Sequence, residues 1–595
     1  MQTRQKLSAL RASMRKHGVD AYYVPSVDPH QSEYVPANWQ RRAWLSGFTG
    51  SAGDVLVTAR KAGLWTDSRY FLQAEAQLAG SGIELHRMGL PGVPSLLGYA
   101  CRALKRGQTL GVDPRVMSLD AADSFEAALS ERGIEVKYLA RNLVDPFWKD
   151  RPAPSDAPLK LHGPRYSGEN TASKLKRLRA DVKALGARAH VIGALDVIAW
   201  LFNVRSRDIE FTPVVIAYAI VTERGAVLYM DEAKVGKSVR KSLKRHVKIK
   251  PYDAVAADLR ALARRKVPVL VDPATTNKWV AGLLGRAELV RAASPVVAMK
   301  SRKNRVQMEG IRDAHVRDGA AMVKFLRWLE TAVPKGGQTE ISATDRLTAF
   351  RAEQPGYQDN SFGPISGYAA HGAIVHYSAT PETEAPLKSH GVYLVDSGAQ
   401  YLDGTTDITR TVALGPVPKR ARTMFTLVLK GNINITRTPF PKGMSGQRLE
   451  ILARQALMLH GQNYGHGTGH GVGQYLGVHE GPMSVSPRDT ANVPLAPGQL
   501  ISIEPGHYEA GKFGIRIENL CLVVPDEKHS TDEQEWYKWE PVTMCPIDLS
   551  MVDKGLLDPV EVDWLNAYHK KVYKKLAPLL DGPHRKWLKR ATRSI

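Results

Sequence analysis

The chain has 595 residues, a net charge of +23 and a hydrophobic content of 43%, which is ordinary for a soluble globular protein. This length exceeds what one hydrophobic core supports, so about two to four domains are expected. No stretch approaches the roughly 20 apolar residues of a membrane span, and the N-terminus lacks the apolar core of a signal peptide. Three widely spaced cysteines do not indicate a disulfide framework or a zinc site, and they fit a reducing cytoplasm.

The positive charge is distributed along the chain. Basic clusters lie in residues 237–250, 300–305 and 569–593. Nucleic-acid binders usually concentrate such charge in a recognised module or interleave it with aromatic residues, and no module of this kind is present. We therefore expect a solvated basic surface, with no specific nucleic-acid partner and no membrane association.

Residues 1–150 are predicted to form one α/β domain. Residues 21–25 indicate a short buried strand, residues 55–58 and 63–66 a hairpin, and Asp67-Ser-Arg-Tyr70 the start of a helix that runs to Leu78. A glycine-rich run at residues 44–53 lacks the Lys-Ser/Thr of a phosphate-binding loop, so it indicates backbone turns and not a nucleotide site.

A proline-rich linker at residues 151–158 separates this domain from a second region, 159–298, in which the order of elements restarts. The second region is predicted to contain a helix over 169–185, a strand over 190–192, a short helix over 195–202 and a hairpin of strands 213–221 and 226–229. We hypothesise a duplicated layout, although residue identity is low. A long amphipathic helix over 302–329 begins a third domain, 300–595, with a C-terminal extension from residue 541.

Two aspartates flank a predicted hairpin in the third domain. The apolar run 392–395 leads into Asp396, Asp403-Gly404 favours a tight turn, and a threonine-rich run carries Asp407. Antiparallel pairing would bring the two carboxylates onto neighbouring strands, with Cβ atoms about 5 Å apart. Carboxylates that close need a proton or a cation between them, and oxygen ligands suit hard metals such as magnesium, calcium or manganese. A surface hairpin with solvated aspartates is the alternative that this stretch leaves open.

Histidines accompany this hairpin in three places. Residues 372–375 are predicted to form an apolar strand that ends at His376. His466 and His470 lie four residues apart among glycines, which excludes the helical His-Glu-x-x-His zinc motif and indicates a loop of close backbone approach. His479 follows in a Val-His-Glu-Gly-Pro stretch.

A second predicted hairpin supplies two more carboxylates. Its strands, 500–504 and 514–518, carry Glu504 and Glu518, and Arg516 is expected on the same face as Glu518. Four carboxylates and one histidine suit two metal ions roughly 3.5–4 Å apart that share a bridging water or hydroxide as nucleophile. Taken singly, His466 or His479 could be a hydrogen-bonded loop histidine and Arg516 a surface charge. The joint occurrence favours the metal site.

These motifs resemble those of the pita-bread-fold metallopeptidases, and among them the three-domain Xaa-Pro aminopeptidases of the aminopeptidase P group. The resemblance covers nearly the whole chain, because residues 46–53, 67–70, 540–548 and 564–568 also match that group. It implies an α/β (α+β) protein in which two creatinase-like N-terminal α/β domains precede a pita-bread catalytic domain. It also implies a cytoplasmic homodimer that removes the residue before proline from peptide N-termini.

The resemblance implies a role for each site residue. Asp396 would bind one metal, His470 and Glu504 the other, and Asp407 and Glu518 both; the family usually uses manganese, here two Mn²⁺ per subunit. The resemblance further implies that His376 and His479 handle protons and that Glu504 takes part in catalysis. His466 and Arg69 would contact the substrate. Arg516 would also lie on the substrate side of the site, where it keeps Glu518 ionised.

Two departures from the family pattern and three alternatives accompany this resemblance. His371 stands where relatives commonly have asparagine, and Met458 where they commonly have tryptophan, which affects substrate preference or subunit contacts. A prolidase would share the metal ligands but cleave only Xaa-Pro dipeptides. A creatinase lacks these ligands. A pita-bread binding module that has lost them would be a different class of protein.

Overall fold

A computed structural model describes residues 1–595, and the chain divides into two compact units. The first unit contains residues 1–162 and 169–297, and the second contains residues 163–168 and 298–595. Not one helix combines the length and the apolar character needed to cross a bilayer. The second unit thus includes a short segment that the sequence places inside the first.

The first unit begins with a six-stranded mixed sheet. Its elements are helices α1 (Thr3–His17), α2 (Arg41–Ser46), α3 (Phe71–Leu78), α4 (Leu96–Ala103) and α5 (Leu119–Ser130), and strands β1 (Ala21–Val24), β2 (Asp54–Thr58), β3 (Ala62–Thr66), β4 (Glu84–Arg87), β5 (Thr109–Val112) and β6 (Glu135–Tyr138). The strand order is β4-β3-β2-β1-β5-β6. The predicted strand at 21–25 and the predicted hairpin that follows it are confirmed.

The rest of the first unit repeats this plan. Its strands are β7 (Lys160–Leu161), β8 (Ala189–Ile192), β9 (Val204–Arg205), β10 (Tyr218–Thr222), β11 (Ala226–Met230), β12 (Lys248–Pro251), β13 (Val269–Val271) and β14 (Leu289–Arg291). The helices that follow α5 and precede the long helix of the second unit are α6 (Pro164–Ser167), α7 (Thr171–Ala184), α8 (Leu195–Leu201), α9 (Lys237–Leu243), α10 (Val255–Arg265), α11 (Lys278–Leu284) and α12 (Pro295–Ser301).

The second sheet has the strand order β12-β11-β10-β8-β13-β14. Its central strand β8 is antiparallel to β10 and parallel to β13, just as β1 is antiparallel to β2 and parallel to β5. The outer pairs also agree, because β3–β4, β5–β6, β11–β12 and β13–β14 are all parallel. The hypothesis of a duplicated layout is confirmed.

The second unit surrounds its metal-ligand candidates with helices, one six-stranded sheet and three smaller sheets. Its remaining helices are α13 (Arg305–Ala332), α14 (Glu340–Ala352), α15 (Lys419–Arg437), α16 (Gly446–Leu449), α17 (Ile451–Met458), α18 (Pro559–Leu576) and α19 (Gly582–Ala591). Its strands are β15 (Tyr357–Asn360), β16 (Ile365–Tyr368), β17 (Val392–Ser397), β18 (Ala399–Tyr401), β19 (Gly404–Thr405), β20 (Ile408–Ala413), β21 (Phe440–Pro441), β22 (Gly469–Gly471), β23 (Glu480–Val485), β24 (Leu500–Ile503), β25 (Gly506–Glu509), β26 (Phe513–Arg516), β27 (Asn519–Pro525) and β28 (Trp536–Pro541).

The long helix α13 begins at a capping box. Asn304 caps it, with Gln307 bonding back to the Asn304 backbone. The Asn304 amide also donates to the carbonyl of Ser167, 2.9 Å away, and the Gln474 amide donates to the carbonyl of Tyr166 over 3.3 Å. The short segment 163–168 is therefore bonded at two points to the main part of its own unit, residues 298–595.

The C-terminal helix α18 starts as the sequence predicts. Asp558 caps it and forms a capping box with Glu561, after which Tyr568, Val572 and Leu576 are buried on the core of the second unit. Tyr568 also accepts a hydrogen bond from the buried guanidinium of Arg410 over 3.0 Å. The apolar stripe predicted for this helix faces the core.

Candidate metal centre

Asp396 and Asp407 lie at adjoining ends of two antiparallel strands. Strand β17 ends one residue after Asp396, which pairs with Thr409 of β20, and Asp407 directly precedes β20. Between them, Tyr401 pairs with Gly404, so Leu402 and Asp403 form the tight turn, one residue before the predicted Asp403-Gly404. The neighbouring placement of the two aspartates is confirmed.

Glu504 and Glu518 also lie at adjoining strand ends, although their predicted hairpin is wrong in detail. Strand β24 ends at Ile503 and pairs there with Asn519 of β27, not with residues 514–518. Pro505 has no N–H to extend the ladder, and the chain forms the separate hairpin β25–β26 before it returns at Glu518. Arg516 therefore lies in β26, while Glu518 precedes β27.

His470 lies on β22 between two glycines that permit close approach. A Cβ on Gly469 would lie 1.8 Å from the carbonyl oxygen of Ser502, so no larger residue fits there. The Nε2 atom of His470 is 3.5 Å from Asp407 Oδ2 and 3.5 Å from Glu504 Oε1. Ligand atoms of Asp407, His470 and Glu518 all lie within 4.8 Å of one another. His470 in the middle of β22 thus lies close to Asp407, Glu504 and Glu518, which flank the ends of three other strands.

Burial and the neighbouring charges raise the pKa values of several groups in this cluster. Burial, together with the charges of Asp407 and Glu504, raises the pKa of Asp396 to about 7 against the opposing effect of Arg516. Burial and the neighbouring carboxylates also raise the pKa of Glu518 well above its ordinary value. Burial lowers the pKa of His470, but its hydrogen bond to Asp407 and the charges of Glu504 and Asp407 outweigh that effect and raise it to about 9.

The donor set fits divalent cations. Asp396 Oδ1 and Glu518 Oε1 are buried without a hydrogen-bond partner, and buried carboxylate oxygens normally have one. Cations would supply that partner and offset the repulsion among the carboxylates. Oxygen-rich sites with one imidazole suit metals such as manganese.

Arg516 contacts a different carboxylate from the one expected. Its Nη2 donates to Asp396 Oδ2 over 2.7 Å, and its Nε donates to the hydroxyl of Thr409 over 3.2 Å. That hydroxyl donates in turn to Glu518 Oε2 over 2.8 Å. Arg516 is therefore linked to Glu518 through the hydroxyl of Thr409, and its expected role of keeping Glu518 ionised stays a prediction. Sequence reasoning missed Thr409, although it lies in the same Asp-Ile-Thr-Arg stretch as Asp407.

Of the three other candidate histidines, His479 packs directly on the cluster and His466 is linked to it through Tyr508 and Arg516. The His479 ring packs edge-on against the His470 ring, with centroids 4.3 Å apart. His466 Nε2 is hydrogen-bonded to the Tyr508 hydroxyl over 2.8 Å, and that hydroxyl also accepts from Arg516 Nη1 over 2.8 Å. Tyr508 was missed at the level of sequence, where only its position near Glu504 could have indicated it.

His376 lies in a loop and not at the end of a strand. Residues Ala369–Ala373 form a 3-10 turn, because Gly372 packs against Gly514 of β26: a Cβ on Gly514 would lie 1.7 Å from the Gly372 carbonyl oxygen. The strand predicted for 372–375 is therefore wrong. The carbonyl of Val375, next to His376, accepts from Arg516 Nη2 over 3.4 Å. This contact ties the His376 loop to the arginine that pairs with Asp396.

Arg69 belongs to the first unit. It is bonded there to Asp67 by Nε over 2.8 Å and by Nη2 over 2.6 Å. Its expected contact with substrate stays a prediction.

Comparisons with known proteins agree with this architecture. Models of the creatinase/prolidase N-terminal domain match residues 6–143 and 150–307, the model of metallopeptidase family M24 matches residues 309–525, and the model of the C-terminal region of peptidase M24 matches residues 535–595. The chain is 41% identical to aminopeptidase P2 of Arabidopsis thaliana, over 99% of this chain and 88% of the relative. It is also 41% identical to a probable Xaa-Pro aminopeptidase P of Aspergillus fumigatus, over 100% and 93%.

Solved structures give the same result. The X-prolyl aminopeptidase of Caenorhabditis elegans, described as a cytosolic enzyme with a di-nuclear active site, superposes with a TM-score of 0.97 at 36% identity over the full length of both chains. The prolidase of Pyrococcus horikoshii shares the fold, with a TM-score of 0.50 at 19% identity over 63% of this chain and 99% of that one. The fold and the carboxylate–histidine centre define an M24 metallopeptidase with creatinase-type N-terminal domains. Within that class, the chain belongs to the Xaa-Pro aminopeptidase P family.

Proposed function

We propose that this protein is an aminopeptidase that releases the N-terminal residue from peptides with proline in second position. The observation that carries the proposal is the largely buried cluster of Asp396, Asp407, Glu504, Glu518 and His470, in which Asp396 and Glu518 each keep an unpaired oxygen. Near-complete alignment with Xaa-Pro aminopeptidases supports the substrate class. A creatinase or a ligand-free binding module would not need this cluster.

The metal ligands proposed are those that the family resemblance implies, and the proximity of Asp407, His470 and Glu518 supports them. Asp396 would hold one cation, His470 and Glu504 the other, and Asp407 and Glu518 both. We propose two Mn²⁺ per subunit, a choice supported by the oxygen-rich ligand set and by the di-nuclear site of the Caenorhabditis elegans relative. When bound, such ions polarise the scissile carbonyl and lower the pKa of water toward about 7.

The protein's own residues would then orient the peptide and move protons. Glu504 is the candidate acceptor for the proton of the attacking water, and His376 and His479 would steady the charge on the carbonyl oxygen and protonate the departing proline nitrogen. His466, fixed through the Tyr508 hydroxyl, would border the substrate. Because the bond before proline is a tertiary amide, the site needs no acceptor for an amide N–H.

The domain organisation, compartment and subunit state complete the proposal. Domains 1–150, 159–298 and 300–595 are supported by the family models that match these regions. A cytoplasmic location is supported by three free cysteines and by the cytosolic relative. A homodimer is supported by exposed apolar side chains at the ends of α17, where Ile451, Met458 and Leu459 are 50%, 50% and 78% exposed.

The decisive experiment compares substrates and metal content. Purified protein is stripped with a chelator, reloaded with Mn²⁺, and assayed on Arg-Pro-Pro and on Arg-Pro. We expect turnover of the tripeptide, weak or no turnover of the dipeptide, and about two equivalents of metal. Cleavage of the dipeptide alone would identify a prolidase. Failure to bind metal or to cleave either peptide would favour a binding module.

A further inference from the structure

Glu340 is a carboxylate held entirely in the interior of the second unit. It is the first residue of α14 and its side chain is fully buried. Thr339 caps the same helix and bonds to Ser342, so Glu340 is not the cap. A buried carboxylate is stable only when hydrogen-bond donors surround it. The segment that supplies these donors to Glu340 is therefore the segment that Glu340 holds in place.

Four donors reach Glu340, and all of them come from residues 368–385. Their distances to its carboxylate oxygens are 2.7 Å from the Tyr368 backbone N–H, 2.9 Å from His371 Nδ1, 3.0 Å from the Tyr377 hydroxyl and 2.8 Å from the Ala385 backbone N–H. His376 lies inside this segment. One buried side chain therefore fixes the path of the loop that carries a candidate proton-handling histidine.

His371 is the partly exposed partner of the buried Glu340 carboxylate. Its Nδ1 lies within hydrogen-bond distance of both Glu340 oxygens, and its ring packs on Tyr377 with centroids 4.5 Å apart. Tyr377 is adjacent to His376 in the chain. The side chain of His371 is 30% exposed, so it can be replaced without opening the core.

A second anchor holds the opposite side of the same loop. The Val375 carbonyl accepts from Arg516, which also pairs with Asp396 at the metal centre. His376 thus follows a residue tied to the metal centre and precedes a residue tied to Glu340. A displacement of either anchor would move the imidazole relative to the reacting bond.

We propose that Glu340 and His371 are positioning residues of the peptidase reaction, which hold His376 at the metal centre through the loop 368–385. This inference rests on the proposed function. Neither side chain touches the candidate metal ligands. Their effect therefore falls on the geometry of proton transfer and leaves metal binding intact.

The test uses the Mn²⁺-loaded enzyme with His371→Ala and His371→Asn. We expect His371→Ala to keep its metal content and KM while kcat falls by roughly 10- to 100-fold, the effect of misplacing a reacting group by about 1 Å. Asparagine can still donate to Glu340, so His371→Asn should recover most of the turnover. The control His529→Ala removes another histidine–carboxylate pair of the same unit, with Asp526 at 2.6 Å, and should leave kcat unchanged.

A double-mutant cycle decides whether the effect passes through His376. In a His376→Ala background, His371→Ala should cause little further loss, because the group that it positions is gone. Additive losses, or a His371→Ala enzyme with normal kcat, would overturn the inference while the proposed function stands. Glu340→Gln gives an independent variant that should mirror His371→Ala. A wild-type enzyme that fails to cleave Xaa-Pro tripeptides would overturn the proposed function itself.

Discussion

Lys300 and Glu480 are joined by a hydrogen bond of 2.6 Å in the interior of the second unit, although 180 residues separate them in the chain. Their side chains are 2% and 1% exposed, and Lys303 reaches the other carboxylate oxygen from the same side. Burial lowers the pKa of Lys303 although Glu480 opposes the effect. Since Glu480 directly follows His479, this buried cluster borders the metal centre.

Removal of the Glu480 charge should be strongly destabilising. Glu480→Gln leaves two buried ammonium groups beside a neutral amide, and breaking a buried ion pair in this way costs about 3–5 kcal/mol. Urea unfolding followed by tryptophan fluorescence measures the change. The exposed pair Lys442–Glu535 has a similar length of 2.7 Å, and Glu535→Gln should leave stability nearly unchanged. Equal stability of the two variants would contradict the prediction.

Metal-holding and proton-handling residues should separate in one comparison. Asp407→Ala or Glu518→Ala would remove a negative charge that we propose two dications share, so at least one metal should be lost or bound more weakly and turnover should fall by orders of magnitude. His376→Ala and His479→Ala should keep both metals while turnover drops by roughly 10²–10⁴. Metal analysis beside tripeptide assays gives both readouts. A Glu518→Ala enzyme with two metals and near-normal turnover would refute the two-metal centre.

Gly514→Ala should reduce turnover through the His376 loop. The new Cβ would lie 1.7 Å from the Gly372 carbonyl oxygen, so the turn at residues 369–373 must shift. We expect kcat to fall by roughly 10-fold or more. Gly282→Ala is the matched control, because its Cβ meets no atom within 4 Å in α11 and alanine favours the helix by about 1 kcal/mol. Normal kinetics for Gly514→Ala would show that the loop tolerates displacement.

His569 should make stability depend on pH. Burial and the charges of Arg410 and Arg593 lower its pKa to about 4, and its Nε2 accepts the N–H of Ile547 over 3.0 Å. In the unfolded chain the histidine has a pKa of about 6.5. Between the folded and unfolded pKa values, the unfolded chain therefore binds a proton at His569 that the folded protein does not. Stability should therefore rise with pH through this window, by up to about 1.4 kcal/mol per pH unit, and be complete above it.

Urea midpoints measured from about pH 4.5 to 7.5 check this dependence. His569→Gln retains an acceptor for the Ile547 N–H but does not titrate, so its midpoints should vary less over the same range. An unchanged slope in the variant would assign the pH dependence to other groups.

Local signals in the sequence predict local structure well. Asp403-Gly404 predicts its turn to within one residue, Asp558 and Glu561 form their capping box, and the helix predicted over 302–329 is found over Arg305–Ala332. These features depend on residues close together in the chain. The adjoining placement of Asp396 and Asp407 follows from the same hairpin logic.

Contacts between residues far apart in the chain cannot be predicted from such local signals. Arg516 selects Asp396, 120 residues away, over its near neighbour Glu518. The β-branched Ile374 and Val375 favour a strand locally, but the contact of Gly372 with Gly514 turns the chain instead. The Lys300–Glu480 bond likewise depends on packing between distant segments.

The bonds from Asn304 to Ser167 and from Gln474 to Tyr166 bear on any attempt to express the catalytic half alone. A fragment that begins at Ala298 would keep the buried lysines but lose residues 163–168, the stretch that secures the first turn of α13. Grafting residues 163–168 ahead of Ala298 should therefore stabilise such a fragment. The compact unit is not continuous in sequence, so a single cut in the gene at residue 298 removes part of that unit together with the N-terminal domains.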